Sequence, residues 1–286
     1  MAEASIPVDL FNPGQVFACL GFMEAADILL GDAEGGFNWS NETDVRFRLA
    51  ALGERNPVEA VLEFLAKTGV IALTPPGSGL STKEWRIETN PTDGSFPFKE
   101  PPSPATLPAI LQSADKKIGV DYWGDSTDLR DNVKFWAGAG GYPGAALLRD
   151  SLDLVRDEML KAATNPFELA APQSSSFRFD WRRDYIPIDA GFSPNEHRDI
   201  TMVGYPLTEV LAAIGVTHAR PLRIDKLHYR YAVVGGDGHL LPPEFLRAAL
   251  GMAPLPFPMR RFSMKLGWPG KENQARCITE VREERQ

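Results

Sequence analysis

A seven-residue apolar pattern with glycine at its sixth position occurs twice in this chain, once near each end. The first copy is Val16-Phe17-Ala18-Cys19-Leu20-Gly21-Phe22, preceded by Pro13. The second is Val210-Leu211-Ala212-Ala213-Ile214-Gly215-Val216, preceded by Pro206. Proline has a φ already suited to the first helical position, and glycine lets a neighbouring backbone approach closely. The pattern therefore predicts two helices, each opening at a proline and each carrying a point of close approach. The segments downstream of the two copies also match. A short strand with alternating basic residues comes next (Val45-Arg46-Phe47-Arg48-Leu49; Leu227-His228-Tyr229-Arg230-Tyr231), then a helix from Pro57 or Pro243. Two helix–strand–helix units predict an α+β fold with mainly antiparallel strands in two halves, a candidate pseudo-duplication. The other origin of the pattern is the general likeness of apolar helices.

Breakers and periodicity organise the rest. Strands are predicted at 5–10, 44–52 and 70–73, an amphipathic helix at 13–30, and a second helix at 57–67. That second helix has Val58, Val61, Leu62 and Leu65 on one stripe. Residues 75–108 are rich in Pro, Gly, Ser and Thr, with one strand-like island at Trp85-Arg86-Ile87-Glu88. Residues 144–163 read as a helix stopped by Asn165-Pro166. Residues 177–188, 227–234, 262–268 and 275–281 alternate like strands. The domain reading is an acidic N-terminal α+β unit over 1–74, a connector or excursion over 75–115, and a C-terminal α+β unit over 116–286.

Composition narrows the classes. The apolar stretches are interrupted by Glu24, Asp27 or glycines, short of the run that spans a bilayer, and Met1-Ala2-Glu3-Ala4 lacks the basic start of a signal peptide. Two cysteines, Cys19 and Cys277, fit a reducing compartment, and no CxxC or Cys/His cluster suggests structural zinc. A cytoplasmic protein without membrane attachment is the expectation. Net charge is −8, but it is unevenly spread. Residues 1–131 hold 10 Lys and Arg against 20 Asp and Glu, whereas residues 132–286 hold 20 against 18. Such asymmetry suits two different partners.

Catalytic signatures are sparse. The chain has no GxSxG elbow, P-loop, GxGxxG or HExxH. Gly138-Ala139-Gly140-Gly141 precedes a helix and is able to cradle a phosphate, yet it lacks the lysine–serine pair of a P-loop. Asn195-Glu196-His197-Arg198-Asp199, with Asp180, Asp184 and Asp189 upstream, offers carboxylates for Mg²⁺ or Mn²⁺ but in no ligand spacing, and a polar loop after Ser193-Pro194 explains it without chemistry. His239 follows Gly235-Gly236-Asp237-Gly238 and is expected to face solvent. No catalytic residue, metal ligand or cofactor is assigned.

The richer signal is basic residues interleaved with aromatics. Phe177-Arg178-Phe179-Asp180-Trp181-Arg182-Arg183, Leu227 to Tyr231, and Met259-Arg260-Arg261-Phe262-Ser263-Met264-Lys265 all show it. Cations hold phosphates, and exposed aromatics stack on unpaired bases. The candidate nucleic-acid contacts are Arg178, Arg182, Arg183, Arg230, Arg260, Arg261 and Lys265. The competing reading is a half-buried strand with its aromatics in the core and its arginines in water.

Several strings resemble one family. They are the run from Ile6 to Phe22, Lys134-Phe135-Trp136-Ala137-Gly138, Phe179-Asp180-Trp181-Arg182, Asp189-Ala190-Gly191-Phe192-Ser193-Pro194, Trp268-Pro269-Gly270 and Gln274-Ala275-Arg276. The chain resembles the CRISPR-associated family encoded in subtype I-U (I-G) loci, over most of its length. It departs from that family at Ala139-Gly140-Gly141, where more polar residues are expected. The resemblance implies a subunit or accessory factor of a type I Cascade-like effector, in which guide pairing reads sequence and proteins grip backbones. It adds Lys134 and Trp136 to the candidate contacts, and it implies other Cascade-like subunits, guide RNA and target DNA as partners. A metal-dependent nuclease of the same pathway and a protein-only adaptor are the alternatives.

Overall fold

The computed structural model describes residues 1–77, 86–93, 107–121, 143–183, 202–225, 227–267 and 277–284. Its first unit runs β1 (Ala2–Pro7), α1 (Pro13–Leu30), β2 (Glu34–Asn38), β3 (Arg46–Ala51), α2 (Pro57–Lys67) and β4 (Gly69–Thr74). A middle stretch gives β5 (Glu88–Pro91), β6 (Ala109–Ser113), β7 (Lys116–Val120), α3 (Gly144–Val155) and the two-residue strand β8 (Ala171–Pro172). The last part runs β9 (Val203–Gly204), α4 (Pro206–His218), β10 (Leu222–Arg223), β11 (His228–Gly236), α5 (Pro243–Leu250), β12 (Met259–Gly267) and β13 (Cys277–Glu284). The fold is α+β with mainly antiparallel strands.

Helix α1 starts where the sequence places it. Asn12 caps it by accepting from the Gly14 N–H at 3.1 Å, and Pro13 supplies the first turn. The expected amphipathic stripe is absent, however, because every residue from Pro13 to Ala26 is buried. By length and apolarity α1 matches a bilayer-crossing segment, yet 78% of it lies inside the molecule. A helix apolar all round belongs in a core. Helix α4 is the same, buried from Pro206 to Val216. The two repeated segments pack directly on each other. A Cβ added to Gly21 would sit 1.9 Å from the Leu211 carbonyl oxygen, and one added to Gly215 would sit 2.1 Å from that of Phe17. The contact is reciprocal, and corresponding positions of the repeat face each other. Glu24 on α1, itself buried, ties the arrangement to α5 through two 2.6 Å bonds from Arg247 and faces His218 of α4 at 3.3 Å.

Element order repeats as well. A hairpin, β2–β3, follows α1 and precedes α2; a second, β10–β11, follows α4 and precedes α5. Helix α2 shows the expected stripe, with Val58, Val61, Leu62 and Leu65 buried and Asn56 capping the N–H groups of Val58 and Glu59. The units join in one seven-stranded sheet of order β1-β3-β2-β11-β12-β13, with β10 beside β11. At the junction β2 and β11 run parallel for two residue pairs, Phe37 with Gly235 and Asn38 with Gly236. Gly235 has φ +150°, and a Cβ there would meet the Phe37 carbonyl oxygen at 2.0 Å, so only glycine lets the strands close. A smaller sheet of order β5-β4-β6-β7 draws two strands from within the 75–115 stretch. Among the described residues the two larger sheets and the five α-helices contribute to one connected apolar core, and β8 and β9 pair as a small third sheet.

Some elements differ from the sequence expectation. Strands β2, β6 and β7 have no counterpart in it; β2 carries two glycines in five residues, and β7 carries two lysines and a glycine, which blurs alternation. The helix expected over 144–163 ends at Val155 and continues as a 3-10 turn at Met159–Ala162. Residues 177–183 do not form a strand. Arg178 takes φ +62°, which breaks the pleat, and Trp181–Arg183 is a 3-10 turn.

The end of β7 is also tied to α4: the Asp121 N–H donates to Thr217 Oγ1 at 3.2 Å. Burial pushes the Asp121 carboxyl up to about 6, against a smaller opposing pull from Arg220. A carboxyl whose pKa rises on folding contributes its full stability below the ordinary value of 3.8 and loses it as pH climbs through about 6. Asp121→Asn should therefore raise stability at pH 8 by about 1–2 kcal/mol, a figure discounted for partial exposure. The gain should disappear near pH 3, and thermal melts at both pH values check it. A variant no more stable than the parent at pH 8 would refute it.

Candidate nucleic-acid interface

Strands β11, β12 and β13 sort the interleaved residues onto two faces. In β11 Tyr229 and Tyr231 are fully buried, and in β12 so is Phe262, with Met264 and Leu266 beside it. Tyr231 and Phe262 stack at 5.1 Å, Phe17 of α1 meets Tyr231 edge-on, and the Tyr231 hydroxyl donates to the Leu10 carbonyl at 2.8 Å. Helices α1 and α5 lie on this side, where Met23 and Leu246 approach Gly35. The aromatics are thus core. A strand's pleat sends the intervening side chains the other way.

That other face carries Arg230 on β11, Arg261, Ser263 and Lys265 on β12, and Glu280, Arg282 and Glu284 on β13. The register sets Arg230 opposite Ser263 and Lys265 opposite both His228 and Glu280. Arg230 is held by Glu284, with Nε to Oε1 at 2.7 Å and a second contact from Nη2, and Arg282 pairs with Glu280. Lys265 is exposed and Arg261 half-exposed, and among the described residues neither has an ion-pair partner. Arg260 belongs to the opposite face. It forms two bonds of 2.6 and 2.7 Å to Glu283 and lies 5.7 Å from the Phe262 ring. The guanidinium holds the Glu283 carboxyl below its usual range.

The segment 178–183 is a brace. Arg178 and Arg183 are 6% and 5% exposed, and Arg183 donates to the carbonyls of Gln173 and Ser174. Asp180 is fully buried and accepts from Asn12 Nδ2 at 3.0 Å and from Arg182 through Nε and Nη2. Arg182 goes on to Glu168 at 2.6 Å and the Phe167 carbonyl at 2.7 Å, with its guanidinium 3.4 Å above the Tyr205 ring. Glu209, buried in the first turn of α4, accepts the N–H groups of Phe179 and Asp180. The same backbone presses on Gly14, whose added Cβ would lie 2.6 Å from the Phe179 carbonyl carbon. Asp180 and Arg182 thus tie the starts of α1 and α4 to one loop, and the structure bonds Arg182 and Arg183 internally and buries Arg178.

Lys134, Trp136, the glycine-rich run 138–141 and the carboxylate-bearing run 195–199 lie outside the described residues. Among the described residues no group of three or more His, Cys, Asp or Glu is placed to hold a metal ion. His239 is exposed, near Asp237 at 3.4 Å. Two adjoining cavities of about 330 and 310 Å³ flank the Val8–Val45 contact, and their carboxylates are Asp9, Asp44 and Glu168 in one, Asp9 and Glu42 in the other. Sequence reasoning missed them, as it missed Arg282, because both arise from register and packing between distant segments. Comparison with models of known protein families, with curated proteins and with solved structures finds no match.

Proposed function

We propose that this chain is a non-catalytic component of a type I (I-U/I-G) RNA-guided DNA interference complex, working in the cytoplasm. It would contribute contacts to other protein subunits and to the backbone of guide RNA or target DNA. Two supports stand behind this reading. The first is the family resemblance of the strings from Ile6 to Phe22 and Phe179 to Arg182. These two strings meet in space, at the Asn12–Asp180 bond and at Gly14, so they are conjoined parts of one framework. The second, which carries the nucleic-acid part, is the row of outward cations on β11–β13, where Arg261 and Lys265 are not engaged by carboxylates among the described residues. Unengaged cations on a sheet face suit phosphate contact, since a cation already paired must first exchange its partner.

The test is purification through a tag on this chain after coexpression with the other proteins and guide RNA of its locus. Stoichiometric recovery with the guide-RNA-bound complex is expected. Recovery of this chain alone at physiological salt, without the other proteins or the guide RNA, would overturn the reading.

A further inference from the structure

The outward face of β11–β13 also says which form of nucleic acid it suits. Binding a single strand relies on exposed aromatic rings on which successive bases stack. Here the aromatics of these strands, Tyr229, Tyr231 and Phe262, are fully buried against the helices. The outward face instead carries Arg230, Arg261, Ser263, Lys265 and Arg282 beside Glu280 and Glu284, and its one ring among the described residues is the His228 imidazole at the start of β11, held by Asp225. Arg261 and Lys265 lie four residues apart on one strand, roughly 13 Å at about 3.3 Å per residue. That spacing is close to the width of a B-form major groove, about 12 Å, so the two long side chains can reach outward to the phosphate rows on its two sides. In a duplex the bases are already stacked inside and the phosphates face outward.

Resting on the nucleic-acid reading above, we infer that this face binds double-stranded DNA through its phosphates, without reading bases. Arg261 and Lys265 make the two principal contacts. Arg230 and Arg282 are secondary because Glu284 and Glu280 already hold them.

The experiment measures binding of the full chain, by fluorescence anisotropy across a salt series, to a 20-base-pair DNA and to each of its single strands. The duplex should bind at least about tenfold more tightly than either strand, for two unrelated sequences alike. In the Arg261→Gln/Lys265→Gln variant the slope of log affinity against log salt should fall by about 1.8, two contacts at about 0.9 each. Both side chains are at the surface, so the variant should keep the parent's melting temperature. Arg282→Gln, a change at the strand edge, should lower the slope less. Equal or tighter binding of a single strand, a preference for one duplex sequence, or an unchanged slope in the double variant would overturn the inference. These outcomes leave the complex-membership reading standing. Absence of salt-dependent binding to any of the DNAs would overturn the inference and the nucleic-acid part of that reading together, while co-purification tests membership independently.

Discussion

Gly21→Ala should destabilise the protein by about 3 kcal/mol or more, and Gly215→Ala by a similar amount. Overpacking a core ordinarily costs about 1–3 kcal/mol, because side chains rotate away from the intruding methyl. At these two positions the obstacle is backbone. The new Cβ of Gly21 would lie 1.9 Å from the Leu211 oxygen, and that of Gly215 2.1 Å from the Phe17 oxygen. No rotamer relieves either contact, so α1 must move away from α4. Both helices are buried along most of their length, and separation would open voids on each side. Because one separation relieves both contacts, the double variant should cost clearly less than the two singles combined. Gly119→Ala is the comparison: nothing lies within 4 Å of its added Cβ, and a change within about 0.5 kcal/mol is expected. Urea unfolding reads the difference as a shift in midpoint at constant slope. A Gly21→Ala protein unfolding at the parent's midpoint would disprove the close helix crossing.

Asp180→Ala should be comparably severe, at about 3–5 kcal/mol. The carboxylate is fully buried and takes bonds from Asn12, from the Arg182 side chain and from the Arg182 N–H. Removing it leaves the Asn12 amide and a largely enclosed guanidinium short of partners, with a void between the starts of α1 and α4. Arg182 keeps Glu168 and the Phe167 carbonyl, so the loss should not exceed that of a fully stranded charge. Asp180→Asn keeps the shape and one acceptor and should fall between alanine and the parent. Glu63→Ala, which removes the exposed pair with Arg55, should move stability by less than about 0.5 kcal/mol. If Asp180→Ala and Glu63→Ala gave equal midpoints, the brace would be dispensable.

Both predictions rest on residues that the sequence singled out, the glycines for the reason the structure bears out and Asp180 for another. The glycine-bearing repeat announced a point of close backbone approach, and the structure makes it the place where the two copies meet. The Phe-Arg-Phe-Asp-Trp-Arg-Arg stretch has the composition of an outward basic-aromatic strand. It satisfies that template, yet Arg178 enters the left-handed region and Asp180 turns inward to Asn12, a partner 168 residues away. No local pattern encodes such a pairing. The alternation in Leu227–Tyr231 and Met259–Lys265 was legible, and so was the split into an apolar and a cationic face. Arg260 fell on the apolar side at the start of β12, where Glu283 of the neighbouring strand receives it.

Local chemistry by itself determined where α1, α2, α4 and α5 begin, since proline geometry and the asparagine caps of α1 and α2 act within a turn. It also fixed which side chains of β11 and β12 alternate, since the pleat has a period of two. Tertiary structure alone decided that the repeated helices face each other, that the strands of both units share one sheet, and which arginines stay outward. Each of these depends on the position of a carboxylate or carbonyl many residues distant in the chain. Burial and ion pairing are set by what surrounds a residue, and those surroundings exist only once the chain has folded.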